Sequence, residues 1–251
     1  MNPVFMSILL FLSLSMFVGT LANRYWLMRA GESADYWDRP WDRFKSLMII
    51  GFGQQRLLYK RWAGLMHATI FFGFLVVFTR TCTLIGRGFD PEFHLPLLGG
   101  TLGLIYAAVK DTFAALVLIA VLYAIWRRVV VKPSRLHLSF EALLVLVWIA
   151  ALMVTDFLAD AALFMLRPEH PEIGWAWVST LMAGIFSGQP DAVADNWLHI
   201  MYWLHIVLLL VFLNFLPFGK HFHVITALPA VYLRRLTPSA ALEKMEFEGT
   251  E

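Results

Sequence analysis

The chain has 251 residues, 59% of them hydrophobic and 15% charged. Soluble domains average about 45–50% apolar and about 25% charged residues, so this composition excludes an ordinary soluble domain. The formal net charge of +2 is too small to name a partner, and the one cysteine, Cys82, excludes an internal disulfide. It also excludes an iron–sulfur cluster held by this chain alone, which takes about four thiolates.

A transmembrane helix needs about 20 mostly apolar residues. Five stretches qualify: about Pro3 to Trp26, Trp62 to Ile85, Leu102 to Trp126, Leu138 to Leu166, and Trp197 onward past Phe215. Trp26, Trp62, Trp126 and Trp197 sit at segment ends, where amphipathic rings favour the membrane interface. The first stretch reads as a retained helix. Met1 to Met6 carries no positive charge, whereas Arg24, Arg29, Arg39, Arg43 and Lys45 come later, the reverse of a signal peptide.

The expected fold class is all-α: an integral membrane bundle of five transmembrane helices, N-terminus outside and C-terminus cytoplasmic. Residues 27–61, 127–137 and 218–251 are then inside, and 86–101 and 167–196 outside. Sixteen of the 20 Lys and Arg fall on the inner side, three (Arg80, Arg87, Arg167) on or toward the outer side, and Lys110 within a helix. The positive-inside rule asks for this distribution. Residues 1–241 form a single transmembrane domain, and 242–251 (LEKMEFEGTE) a flexible cytoplasmic tail. Gly31 to Tyr59 mixes Trp37, Trp41 and Phe44 with basic residues and is expected to lie on the membrane surface. In the outer loop, the apolar run Val178 to Phe186 is too short to span and is expected to form an interfacial helix or re-entrant cap.

Eight histidines are present; His67 and His205 fall within spans and His223 ends the fifth. An ionisable group inside a membrane is costly, and marks either function or a bond to a neighbouring helix. His205 and His223 are 18 residues apart, five turns at about 3.6 residues per turn, so one continuous helix would put them on one face, about 27 Å apart. Pro217 and Gly219 between them allow a kink. His67 lies six residues after Arg61, about 9 Å into the second helix from its inner end, near the depth of His223. Two imidazoles at one depth on facing helices suit a haem b iron, so His67 and His223 are the first expected ligand pair. His221 is about 200° round an ideal helix from His223 and is expected to face away, toward the surface or the haem propionates.

Lys110 and Asp111 are adjacent in the third span and therefore point apart. Each reads as a structural ion contact, or Lys110 as a hydrogen-bond donor to quinone near an outer haem position. Asp156 and Asp160 are four apart and share a face, as do Arg80 and Arg87, seven apart. A structural network between these pairs is expected ahead of proton exchange for quinone. Gly64 and Gly73 leave room for close approach by a helix or a haem.

The stretches RWAGLMHATIFFGF (Arg61 to Phe74) and WLHIVLLLVFLNFLPFGKHFHVITALP (Trp203 to Pro229) resemble the cytochrome b (gamma) subunit of respiratory nitrate reductase and the heterodisulfide-reductase membrane subunit. With KHFHVITALP, GRGF, HLPLLG and LMVTDFLAD, the chain more closely resembles the N-terminal membrane domain of iron–sulfur oxidoreductases that take electrons from electron-transfer flavoprotein. The resemblance runs from about Arg61 to Arg235. It implies a haem b protein of the bacterial or archaeal cytoplasmic membrane. Such a protein passes electrons between an iron–sulfur (cysteine-rich) partner on the cytoplasmic face, or electron-transfer flavoprotein, and the membrane quinone. Those oxidoreductases continue into cysteine-rich modules, which here fall to a separate subunit or to a longer fusion.

Residue by residue, the resemblance implies an inner haem on His67 and His223. An outer haem would have His205, but Val77 stands where nitrate reductase gamma subunits carry its second histidine. His94 and His199 are the candidates to replace it, although His199 is about 240° round the same helix from His205. Two other classes fit a helical membrane chain: a non-catalytic anchor for a soluble redox enzyme, and a small transporter, which the lack of an internal repeat disfavours. No basic–aromatic surface suggests nucleic acid.

Overall fold

The computed structural model describes residues 2–31, 36–55, 57, 59, 61–133 and 139–236, and these form helices and connecting turns without a strand. In chain order the α-helices are α1 (Pro3–Arg29), α2 (Pro40–Ser46), α3 (Arg61–Arg87), α4 (Gly100–Trp126), α5 (Phe140–Leu166), α6 (Trp177–Ala183), α7 (Asp191–Phe215) and α8 (His223–Tyr232). Five of them, α1, α3, α4, α5 and α7, are long and apolar enough to cross a membrane. The expected tail 242–251, together with His137 and Leu138, lies outside the described residues.

Local chemistry explains where the helices start. Asn2 accepts the Phe5 amide at 3.1 Å, and Pro3 occupies the first turn, where its missing N–H costs nothing. Ser139 caps α5 through the Ala142 amide at 3.3 Å, with Glu141 in the favourable first turn. Gly100 begins α4 at φ +58, a conformation that glycine adopts without strain.

The bundle closes around α3, α4, α5 and α7. Val117, Val121, Leu152, Met153 and Phe157 form its largest buried cluster, with Met66, Ile70, Leu208 and Phe212 packed against it. At Gly73 a Cβ would fall 2.1 Å from the Val117 side chain, so glycine is what lets α3 and α4 approach this closely. Large apolar side chains such as Leu116, Ile119 and Leu122 face outward, as a lipid-facing surface requires.

The fifth span does not run on to His223 as the sequence suggests. α7 stops at Phe215, a 3-10 turn covers Leu216–Phe218, Gly219 is extended, and a second 3-10 turn covers Lys220–Phe222 before α8. Pro217 has no amide to continue the helical ladder. His205 and His223 therefore sit on different helices, and the five-turn shared face is lost.

At the inner end, α2 and a π-helical turn (Leu47–Phe52) pack against α8. Trp41 and Phe44 remain exposed, consistent with a surface-lying connector. Arg43 is buried and donates to the carbonyls of Asp38 (2.8 Å), Tyr232 (3.1 Å) and Arg234 (2.9 Å), tying α2 to the unsatisfied C-terminal carbonyls of α8. At the outer end, α6 caps α4 and α5, matching the short-helix expectation for Val178 to Phe186.

Candidate cofactor site

His67 lies in the second turn of α3, half-buried, and its Nδ1 is buried without a hydrogen-bond partner among the described residues. His223 opens α8, and its Nδ1 lies 2.8 Å from the Lys220 carbonyl. That bond suits the tautomer with Nδ1 protonated and Nε2 free, the usual outer support of a metal-bound imidazole. The two ring centroids are 6.2 Å apart with planes at 35°. Two metal–imidazole bonds of about 2 Å, plus about 1 Å from each nitrogen to its ring centre, make about 6 Å. The pair is therefore spaced for one metal atom between two rings. Phe71, one turn along from His67, packs edge-on against Phe52.

His221 does not face away from His223 as expected from an ideal helix. The two rings are 6.4 Å apart, because the 3-10 turn places residues differently from an α-helix. Its Nδ1 stands 3.5 Å from Glu141 Oε1 and makes no hydrogen bond. Burial holds the His221 imidazole below its ordinary pKa, against the opposing pull of Glu141. Glu141 also accepts the Lys220 amide at 3.0 Å. The sequence reading passed over Glu141. The signal available was an acidic residue in the first turn of the fourth span, on the side of the membrane that Lys220 and His221 share.

The remaining expected residues lie elsewhere. His205 is 2% exposed; its Nδ1 lies 3.1 Å from the Leu152 carbonyl and 3.0 Å from Thr155 Oγ1, both on α5. Val77 packs against the apolar core. His199 is half-exposed near the start of α7, 2.9 Å from the Asp195 carbonyl, and His94 is exposed, 3.2 Å from the Glu92 carbonyl. The structure brings neither to His205.

Lys110 is buried, with Nζ 2.7 Å from Asp160, 3.4 Å from Asp156 and 3.8 Å from Asp111. Arg80 binds both Asp156 (3.0 Å) and Asp160. The expected network thus forms with Lys110 in the place foreseen for Arg87, which instead reaches the Phe93 carbonyl. Arg80 and Lys110 each face both Asp156 and Asp160, so each of these four buried charges has opposite charges beside it. An ammonium has three protons, and three carboxylates surround this one. Arg80, Arg87, His94, Tyr106 and Lys110 all border one cleft at the outer end of α3 and α4. Asp111 also binds the α6 amides of Val178 (2.6 Å) and Ser179 (3.4 Å) and the Ser179 hydroxyl (2.6 Å). Among the described residues, no group of three or more His, Cys, Asp or Glu forms a metal site.

Compared with known proteins, the chain is 31% identical over 238 residues to the probable iron-sulfur-binding oxidoreductase FadF of Bacillus subtilis (strain 168); this covers 92% of the chain and 32% of the relative. It is 27% identical over 243 residues to the EtfAB:quinone oxidoreductase of Syntrophomonas wolfei subsp. wolfei, covering 90% of the chain and 33% of that relative. The chain thus spans about a third of the length of these curated relatives. No family model matches the chain, and no solved structure does. The chain is related to electron-transfer oxidoreductases.

Proposed function

We propose that this chain is the membrane-embedded, haem b-carrying part of an oxidoreductase that exchanges electrons with quinone. The observation that carries the reading is the His67–His223 pair, contributed by two helices at a separation of 6.2 Å, with a buried His67 nitrogen that has no hydrogen-bond partner among the described residues. Bound there, haem b supplies a one-electron iron couple.

The chain's own residues then have separate tasks. His67 and His223 would hold the haem iron. The Lys220 carbonyl fixes the His223 ring. The pair lies at the end of the bundle that the basic residues mark as cytoplasmic. An iron–sulfur protein, or electron-transfer flavoprotein, docks on that face. The names of the two relatives, one an iron-sulfur-binding oxidoreductase and one an EtfAB:quinone oxidoreductase, support that choice of partners. Quinone reaches the same end from the hydrocarbon side, because a lone inner haem is separated from the outer surface by more than about 20 Å. The Lys110 network serves the fold, since its protons are directed at carboxylates.

A dithionite-reduced-minus-oxidised spectrum of the purified chain tests the proposal. A b-type signal that disappears in both His67→Ala and His223→Ala, and persists in His170→Ala, is the expected result. A full signal in His67→Ala would refute the ligand pair, and no signal in wild-type protein supplied with haem would leave a plain anchor as the better reading.

A further inference from the structure

We infer that Glu141 is a positioning residue that sets the distance between His67 and His223. The consequence for haem rests on the reading above; the geometry does not. His223 belongs to a short helix joined to α7 by the break at Gly219, and a break of this kind leaves the direction of the following helix open unless something fixes it. Glu141, at the start of α5, meets that break. Its Oε1 accepts the Lys220 amide at 3.0 Å, the first amide after the extended glycine, and stands 3.5 Å from His221 Nδ1. A Cβ built on Gly219 would fall 1.8 Å from the same oxygen. The carboxylate therefore occupies the space that any other residue at 219 would fill.

The chain of contacts continues from there. The Lys220 amide points to Glu141, while the Lys220 carbonyl holds His223 Nδ1 at 2.8 Å. One peptide segment thus carries the position of α5 to the His223 ring, which faces His67 on α3. A charge-assisted bond to a backbone amide is among the stronger hydrogen bonds available. Glutamine keeps an acceptor oxygen at the same reach; alanine removes it.

The test is haem-independent. In membrane-embedded protein carrying Cys82→Ser, the pair His67→Cys and His223→Cys is joined by a short bis-maleimide, and the rate of crosslinking reports their separation. Glu141→Ala should slow crosslinking by about tenfold, the order expected when one charge-assisted hydrogen bond is lost. Glu141→Gln should restore most of the rate. Gly219→Ala should slow it as well, and should add little to Glu141→Ala because both act on one contact. Crosslinking that is unchanged by both Glu141→Ala and Gly219→Ala overturns the inference. In the protein with its histidines intact, Glu141→Ala should also shift the electron paramagnetic resonance g-values of the ferric haem, which follow the relative ring planes. Crosslinking that depends on Glu141 in a chain that binds no haem would uphold the positioning role and refute the haem reading alone.

Discussion

Lys110 Nζ lies 2.7 Å from Asp160 on the facing helix and 3.8 Å from Asp111, its own neighbour in sequence. The two residues serve different joints: Lys110 completes the charge network between α3, α4 and α5, while Asp111 fastens α6.

Removing one member of the network should be costly, because it strands a charge inside the bundle. Lys110→Met should destabilise the protein by about 3–5 kcal/mol. Removing an anion as well, in Lys110→Met with Asp160→Leu, should recover most of that loss. Thermal unfolding in detergent measures both, and an unchanged melting temperature in Lys110→Met would contradict the account.

Asp111 caps α6 from another helix. Asp111→Ala should cost about 1–2 kcal/mol, as loss of an N-cap does. Faster amide hydrogen exchange should appear at Val178 and Ser179, the two amides that the carboxylate accepts. Exchange confined to other segments would mean that α6 is held by packing alone.

His205 is bonded to α5, and Val77 packs against the apolar core. One haem per chain is therefore expected, and His205→Ala should leave that ratio unchanged. The measurement is haem content against protein concentration. A ratio of two in wild type that falls to one in the variant would instead establish an outer haem and return the quinone site to the outer end.

The orientation has its own check. With 16 of the 20 Lys and Arg assigned to one side, a reporter fused to the C-terminus should be active only if it folds in the cytoplasm. Activity of a reporter that needs the periplasm would invert the arrangement.

The five spans were legible because a membrane leaves an apolar helix few alternatives, and residues such as Leu116 and Ile119 announce it through composition alone. The Arg80–Asp156–Asp160 network was legible for a similar reason: buried charges must find partners, and helical spacing narrows the choice. Replacement of Arg87 by Lys110 was not, since rotation of one helix against another decides which cation arrives. The break at Gly219 had its markers in Pro217 and Gly219, but its direction is set by Glu141, a residue 78 positions earlier whose role only packing shows. The same holds for Asp111, whose partners lie in α6, 67 and 68 residues away. His67 and His223 were paired by a depth argument that assumed one straight helix. They come together across the break that Pro217 and Gly219 mark, which puts His223 on a separate helix.

α1 raises a matter of timing. Its polar clips lie near the other end of the sequence: Ser13 donates to the Leu210 carbonyl (3.4 Å) and accepts from Asn214 (2.7 Å), and Arg24 donates to the Pro217 carbonyl (3.3 Å). A ribosome must therefore add almost 200 residues after Ser13 before those partners exist. Until α7 is made, α1 lacks these polar partners. Its sequence suits the wait: the apolar run holds no charge before Arg24, and its mean hydropathy reaches 2.3. Insertion of α1 and its polar docking onto α7 are thus separate events.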